Sequence, residues 1–234
     1  MAALTLKNLV KKALGRPAYI APEEAAYRRL AAKGFRPAGI IDIGAYEGNW
    51  TRLARRVFPD VPCLMVEAQA AKRAFLEGVT QDLDDTSFSI SLLSATSGEQ
   101  VTFYEMETGS SILPEQSNAP RTETLLSTRT LDDVASEIKG LLFTKIDVQG
   151  AEMKVLAGGE KTLARSEVVQ LEVAIMPYNA GAPTFLEMIS YMDVRGLIPL
   201  DISGLTRPNG LDLVQVDILF AKRDSPLRPT FINF

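Results

Sequence analysis

Short apolar runs, each closed by a turn residue or a carboxylate, set the rhythm of this chain. Ile40–Ile43 ends in Gly44, Pro62–Val66 ends in Glu67, and Phe88–Leu93, Leu141–Val148, Glu167–Ile175 and Leu197–Ile202 follow the same form. Runs of this length bounded by such residues predict buried strands. Between them lie stretches of helical character. Pro22 at a first helical position, Glu23 and Glu24 in the first turn and Gly34 beyond the end predict a helix over about 22–33. Others are expected over Asn49–Phe58, stopped by Pro59, and over Ala70–Gly78, Leu131–Lys139 and Pro183–Arg195, the last closed by Gly196. Strands alternating with helices predict a parallel sheet with right-handed crossovers. Val214–Phe220 alternates at the strand period and predicts a half-buried final strand, antiparallel within the sheet.

The segment 96–130 departs from that rhythm. Val101–Glu105 alternates and Leu125–Thr130 reads as another strand, while Met106–Arg121 between them is rich in Ser, Gly, Pro and Asn. Long irregular segments inside compact domains are usually functional or disordered; this one is expected to act as a mobile lid near the substrate. The expected organisation is an N-terminal helical arm over 1–36 and one α/β domain over 37–234, carrying a loop or hairpin insertion at about 96–130.

Two motifs carry candidate chemistry. The first, Asp42-Ile-Gly-Ala-Tyr-Glu-Gly48, turns from a strand into a helix. Its glycine spacing lacks the G-x-G-x-x-G fingerprint that lays a dinucleotide's pyrophosphate on a helix N-terminus. A looser loop preceded by a carboxylate suits a phosphate-free ligand with a cationic amino acid moiety, which describes S-adenosylmethionine; close packing of two elements gives the same pattern. Glu67, ending the next strand, stands where an acidic residue would meet ribose hydroxyls. The second motif, Lys145-Ile-Asp-Val-Gln-Gly-Ala-Glu152, lies at the carboxyl end of a strand, the edge where open α/β sheets bind ligands. Lys145 and Asp147 share a strand face, and a structural ion pair is the plainer account of them.

Composition narrows the chemistry. The chain has no histidine, so Ser-His-Asp hydrolysis and His-containing zinc sites are excluded, and a general base must be a carboxylate, Lys, Tyr, the lone Cys63 or water. A net charge of −4 without a basic stripe argues against a nucleic-acid partner. No run approaches a membrane span, and a single cysteine gives no secreted disulfide framework, so a cytoplasmic protein is expected. Leu4–Leu14, with Lys7, Lys11 and Lys12, reads as a short packing helix.

Taken together the motifs resemble the FkbM-type family of class I S-adenosylmethionine-dependent methyltransferases. The carriers are Asp42–Ala45 with Gly48, Glu67, Gly109-Ser-Ser111, Thr130-Leu-Asp-Asp133, Lys145–Glu152 with Val155-Leu and Gly158, Leu171-Glu-Val173 and Val216–Phe220. The resemblance implies a Rossmann-like three-layer sandwich with a seven-stranded, mostly parallel sheet and an antiparallel last strand. It implies methyl transfer, often to a hydroxyl oxygen, of a small-molecule or saccharide-type acceptor. Cofactor contacts would come from Asp42, Gly44, Ala45, Tyr46, Gly48, Glu67, Ala68, Ser94, Ala95 and Asp147, with Ser94 and Ala95 flanking the adenine. Asp147 is the first candidate base and Glu152 the second, while Lys145 would orient the acceptor oxygen; Trp50, Tyr178 and Asn179 could line the acceptor pocket. Asp147 and Glu172 end neighbouring strands, as metal ligands do in some O-methyltransferases, but no metal ligand set is assigned. The family commonly has Asn at Tyr46 and Glu at Gln149. A cofactor-binding protein without turnover and an NAD-type oxidoreductase are the rival readings.

Overall fold

The computed structural model describes residues 20–229, so the Leu4–Leu14 helix lies outside the described residues. The strands are β1 Gly39–Ile43, β2 Cys63–Glu67, β3 Thr86–Ile90, β4 Leu92–Leu93, β5 Gln100–Glu105, β6 Thr122–Arg129, β7 Leu142–Ile146, β8 Ser166–Ala174, β9 Leu197–Thr206 and β10 Gln215–Lys222. The helices are α1 Pro22–Ala32, α2 Asn49–Arg55, α3 Arg73–Asp82, α4 Leu131–Val134, α5 Glu152–Ala157, α6 Glu160–Arg165 and α7 Phe185–Asp193.

Seven strands form one sheet in the order β3-β2-β1-β7-β8-β10-β9. The pairs from β3 to β8 are parallel, and β10 runs antiparallel between β8 and β9 as expected, but it is buried on both faces instead of half-buried, with Ile218 and Phe220 in one core and Leu219 in the other. Side chains alternate across a strand, and the core divides accordingly. Ile41 and Ile43 pack with Leu131, Val155, Leu163 and Met188 on one face. Ile40 packs with Tyr27, Leu30, Ala54 and Phe143 on the other. Tyr27, Trp50, Phe35 and Phe58 surround Phe143 edge to face, at centroid distances of 5.3 to 6.2 Å. The result is the three-layer sandwich implied by the resemblance. Cys63 is buried in that core, where burial pushes its thiol up to about 11.

Three elements differ from the sequence expectation. The apolar run Phe88–Leu93 is not one strand: Ser91 N–H donates to Glu67 O, the chain turns, and Leu92 and Leu93 pair instead with Thr128 and Arg129 of β6. Apolar composition continues through the break because Phe88 and Ile90 pack half-buried beside Met65, Leu76 and Val79, while Leu92 and Leu93 are buried in the second sheet. The 49–58 helix closes after Arg55, whose guanidinium binds the carbonyls of Pro59, Val61 and Asp84. The 131–139 helix tightens after one turn, with Ile138 N–H bonding Ala135 O.

The insertion contributes two strands, β5 and β6, which join β4 in a small sheet of order β4-β6-β5. Its irregular 106–121 segment is stitched down at three places. Ser111 pairs with Tyr104, Ser111 Oγ donates to Val148 O at 3.3 Å, and Gln116 N–H and Ala180 N–H exchange bonds with Tyr178 O and Pro114 O. The segment expected to act as a mobile lid thus lies hydrogen-bonded across the carboxyl ends of β7 and β8.

Candidate active site

The carboxyl ends of β1, β2 and β7 open into a cavity of about 260 Å³ roofed by Glu107–Ile112 of the insertion. Gly44, Ala45, Tyr46, Glu67, Ala68 and Asp147 line it, with Lys145 and Trp50 at its inner side. Both glycines of the first motif take left-handed backbone, and each is needed for a close approach. A Cβ on Gly44 (φ +72°) would lie 1.8 Å from Asp147 O, and one on Gly48 (φ +72°) would lie 2.6 Å from Val79 Cγ2. Close packing of elements is thus the immediate reason for this glycine pattern, and Gly48 faces α3 instead of the cavity.

Glu67 is nearly buried, and its carboxylate is held by the backbone. Tyr46 N–H donates to Oε2 at 2.7 Å and Gln69 N–H to Oε1 at 2.8 Å. Burial raises its pKa and those amides oppose the rise. A carboxylate has about four lone-pair sites, so acceptor capacity remains on the cavity side.

Asp42 is fully buried behind the cavity wall. Its Oδ2 accepts from Thr51 Oγ1 at 2.7 Å, and its Oδ1 lies 3.3 Å from Lys145 Nζ. Lys145 Nζ also lies 3.4 Å from Asp147 Oδ2 and donates to Gly44 O at 3.1 Å. Burial pulls the ammonium down, but Asp42 and Asp147 outweigh it and keep Lys145 above its ordinary value. The ion pair is therefore a tie between the β1 and β7 ends; Lys145 donates its hydrogen bond to Gly44 O, and Asp42 Oδ1 is buried without a hydrogen-bond partner among the described residues.

Beyond Asp147 lies a second polar cluster. Gln149, in left-handed backbone (φ +55°), spans two carboxylates: its Nε2 donates to Asp147 Oδ1 at 2.8 Å and to Glu172 Oε2 at 2.7 Å. Tyr178 O–H donates to Gln149 Oε1 and accepts from Gln215 Nε2 at 2.6 Å. This chain of donors fixes the amide, since a flip would turn its oxygen onto the Asp147 carboxylate and its NH2 onto the Tyr178 O–H donor. Burial, with Asp147, Asp217 and Glu152 nearby, pushes Glu172 up to about 10. Burial pushes Asp217, on β10, up to about 7, helped by Glu23.

Several expected site residues lie elsewhere. Glu152 is buried, and its Oε1 accepts from Val148 N–H and Gly150 N–H, both at 3.1 Å. It braces its own turn outside the cavity, and burial pushes it up to about 7. Ser94 and Ala95 pack against Gly158, where a Cβ would sit 2.2 Å from Ser94 O. The break after β3 carries the chain away, so Ser91, Leu92 and Leu93 line the cavity instead. Trp50 donates its Nε1–H to Tyr27 O–H at 2.7 Å. Sequence reading had no signal for Gln69, Lys72 and Glu107, which meet only through the tertiary fold. Among the described residues no three Asp, Glu or Cys side chains converge as a metal site, and no helix is long and apolar enough to cross a membrane.

The Methyltransferase FkbM domain family matches residues 42–198. No curated protein matches the chain. Among solved structures, methyltransferase FkbM from Methylobacillus flagellatus KT superposes with a TM-score of 0.51 at 15% identity, over 79% of this chain and 44% of that one. EvdMO1 superposes with a TM-score of 0.50 at 12% identity, over 86% of this chain and 41% of that one. This chain thus spans less than half the length of either, and such likeness speaks for the fold alone. The family match, covering the glycine turn, Glu67 and the Lys145–Glu152 motif, establishes that the chain belongs to the FkbM family of S-adenosylmethionine-dependent methyltransferases.

Proposed function

We propose that the protein methylates a hydroxyl oxygen of a small-molecule or saccharide-type acceptor, with Asp147 as the proton acceptor. The observation that carries this reading is the Asp147 carboxylate, one-third exposed at the end of β7, facing the cavity and held on one oxygen by Gln149 and near Lys145 on the other. The cavity suits the family's cofactor: Glu67 offers free lone pairs to a diol, and Gly44, Ala45 and Tyr46 present backbone beside it. S-adenosylmethionine, when bound, supplies an electrophilic methyl group on a sulfonium. An alcohol is a poor nucleophile near neutral pH, and with no histidine in the chain the Asp147 carboxylate at the cavity is the group best placed to take its proton. Lys145, 3.4 Å from Asp147 Oδ2, would hold Asp147 in place or orient the acceptor oxygen. Positioning the acceptor oxygen in line with methyl and sulfur would supply much of the acceleration.

The test is incubation with methyl-labelled S-adenosylmethionine and a metabolite extract, followed by mass spectrometry of labelled products. An O-methyl ether formed by the wild type and not by Asp147→Asn is the expected result. Label on nitrogen or carbon would overturn the hydroxyl assignment. Tight binding of S-adenosylhomocysteine with no labelled product would instead favour a cofactor-binding protein without turnover.

A further inference from the structure

Glu107 is an exposed residue of the insertion in left-handed backbone (φ +42°), a conformation that non-glycine residues rarely hold without compensating contacts. It has such contacts on three sides. Tyr46 O–H donates to Glu107 Oε2 at 2.5 Å and Lys72 Nζ donates to the same oxygen at 2.9 Å. Gln69 Nε2 donates to Glu107 O at 3.0 Å. The Lys72 ammonium also stands 3.9 Å over the Tyr46 ring. Tyr46 and Gln69 are the two residues whose backbone amides hold the Glu67 carboxylate. Each therefore grips Glu67 with its main chain and Glu107 with its side chain. Tyr46, itself in left-handed backbone (φ +51°), has no glycine's freedom to settle there unaided.

We propose that Glu107 is a positioning residue for cofactor binding, fixing the Tyr46 and Gln69 amides and through them the orientation of Glu67. The inference rests on the reading of Glu67 as the ribose-binding carboxylate. The insertion is well placed for this task because its far end is pinned to the β8–α7 loop at Tyr178–Ala180, so Glu107 is delivered to a defined spot at the cavity mouth. An exposed ion pair alone contributes little; here the effect comes from ordering two donors that a buried carboxylate needs. The position of Tyr46, commonly Asn in the family, acquires a reason: a phenol reaches Glu107 across the cavity mouth.

The experiment is a double-mutant cycle on dissociation of S-adenosylhomocysteine, measured by surface plasmon resonance for wild type, Glu107→Ala, Glu67→Ala and the double variant. Melting temperatures run in parallel confirm that each is folded. Glu107→Ala is expected to speed dissociation about 5-fold, the upper range for exposed pairs, with no change in melting temperature, and to have no further effect once Glu67 is absent. Tyr46→Phe is expected to move the rate in the same direction by a smaller factor. An unchanged rate in Glu107→Ala overturns the proposal. Additive effects in the double variant also overturn it, because Glu107 would then act as an independent closure. A wild type that fails to bind the probe would instead strike at the cofactor assignment of this cavity, a result separate from either.

Discussion

The two rims of the cavity hold their carboxylates by different means. At the β1–β2 rim, Glu67 is gripped by main-chain amides of Tyr46 and Gln69. At the β7–β8 rim, Asp147 and Glu172 are gripped by the side-chain amide of Gln149, itself fixed by Tyr178 and Gln215 from a loop and from β10. A backbone-held carboxylate depends on the course of the chain, so neighbouring side chains such as Glu107 reach it only through the main chain of Tyr46 and Gln69. A side-chain-held carboxylate can be retuned by single substitutions, and the rim that would receive variable acceptors is built that way.

Under the proposed function turnover would belong to one rim and cofactor affinity to the other, and the largest effect is expected at the first. Asp147→Asn should lower transfer by about 10²–10⁴, the range for a general base, while S-adenosylhomocysteine affinity changes by no more than a few fold. Single-turnover kinetics and calorimetric titration separate the two; retained turnover would make Asp147 structural. At the opposite rim, Glu67→Ala should weaken cofactor binding by about 1.5–3 kcal/mol, the scale for hydrogen bonds to a charged group, with transfer at saturating cofactor close to wild type. If both variants lost turnover and affinity alike, the division between the rims would be broken.

Gln149 sharpens the same division at a smaller scale. Gln149→Leu keeps roughly the volume but removes both N–H donors, leaving Asp147 and Glu172 without the bridge. Transfer is expected to fall about 10-fold, less than loss of the base itself, with cofactor affinity unchanged. A loss of cofactor affinity equal to that of Glu67→Ala would show that Gln149 serves the wrong rim.

This division also explains what could be read from the chain. Strand ends and glycine turns leave local marks, because Gly44 needs its left-handed backbone wherever β1 must meet the Asp147 carbonyl; the parallel strands, the antiparallel β10 and Glu67 follow from such marks. Asp42 carries the same local signature and yet is buried behind Lys145, since pattern alone does not tell which side of a strand end faces the ligand. Ser94 and Ala95 were out of reach because the apolar run Phe88–Leu93 hides a change of sheet at Ser91. Glu152 sits in the motif but turns back to its own amides. The Gln149–Tyr178–Gln215 and Tyr46–Glu107–Lys72 clusters join residues far apart in sequence, and no local spacing announces them.

The smallest expected effect concerns stability, and it follows from the crowding of carboxyls at the β7–β8 rim. Glu172 holds its proton up to about 10, against 4.5 ordinarily, while Glu152 and Asp217 hold theirs to about 7. A carboxyl whose folded pKa is raised binds more protons in the folded state than in the unfolded chain between the two values, so its contribution to stability falls as pH rises through that window. All three groups act together from about pH 5 to 7, and Glu172 alone continues toward 10. Glu172→Gln keeps an oxygen for the Gln149 amide to donate to and removes the proton. Its melting temperature is expected to match wild type near pH 5 and to exceed it by a growing margin toward pH 9, while both decline together through the Glu152 and Asp217 window. Differential scanning fluorimetry across that range provides the measurement. A constant offset at every pH would mean that Glu172 contributes packing alone, and that the side-chain-held rim carries no more buried charge than the backbone-held one.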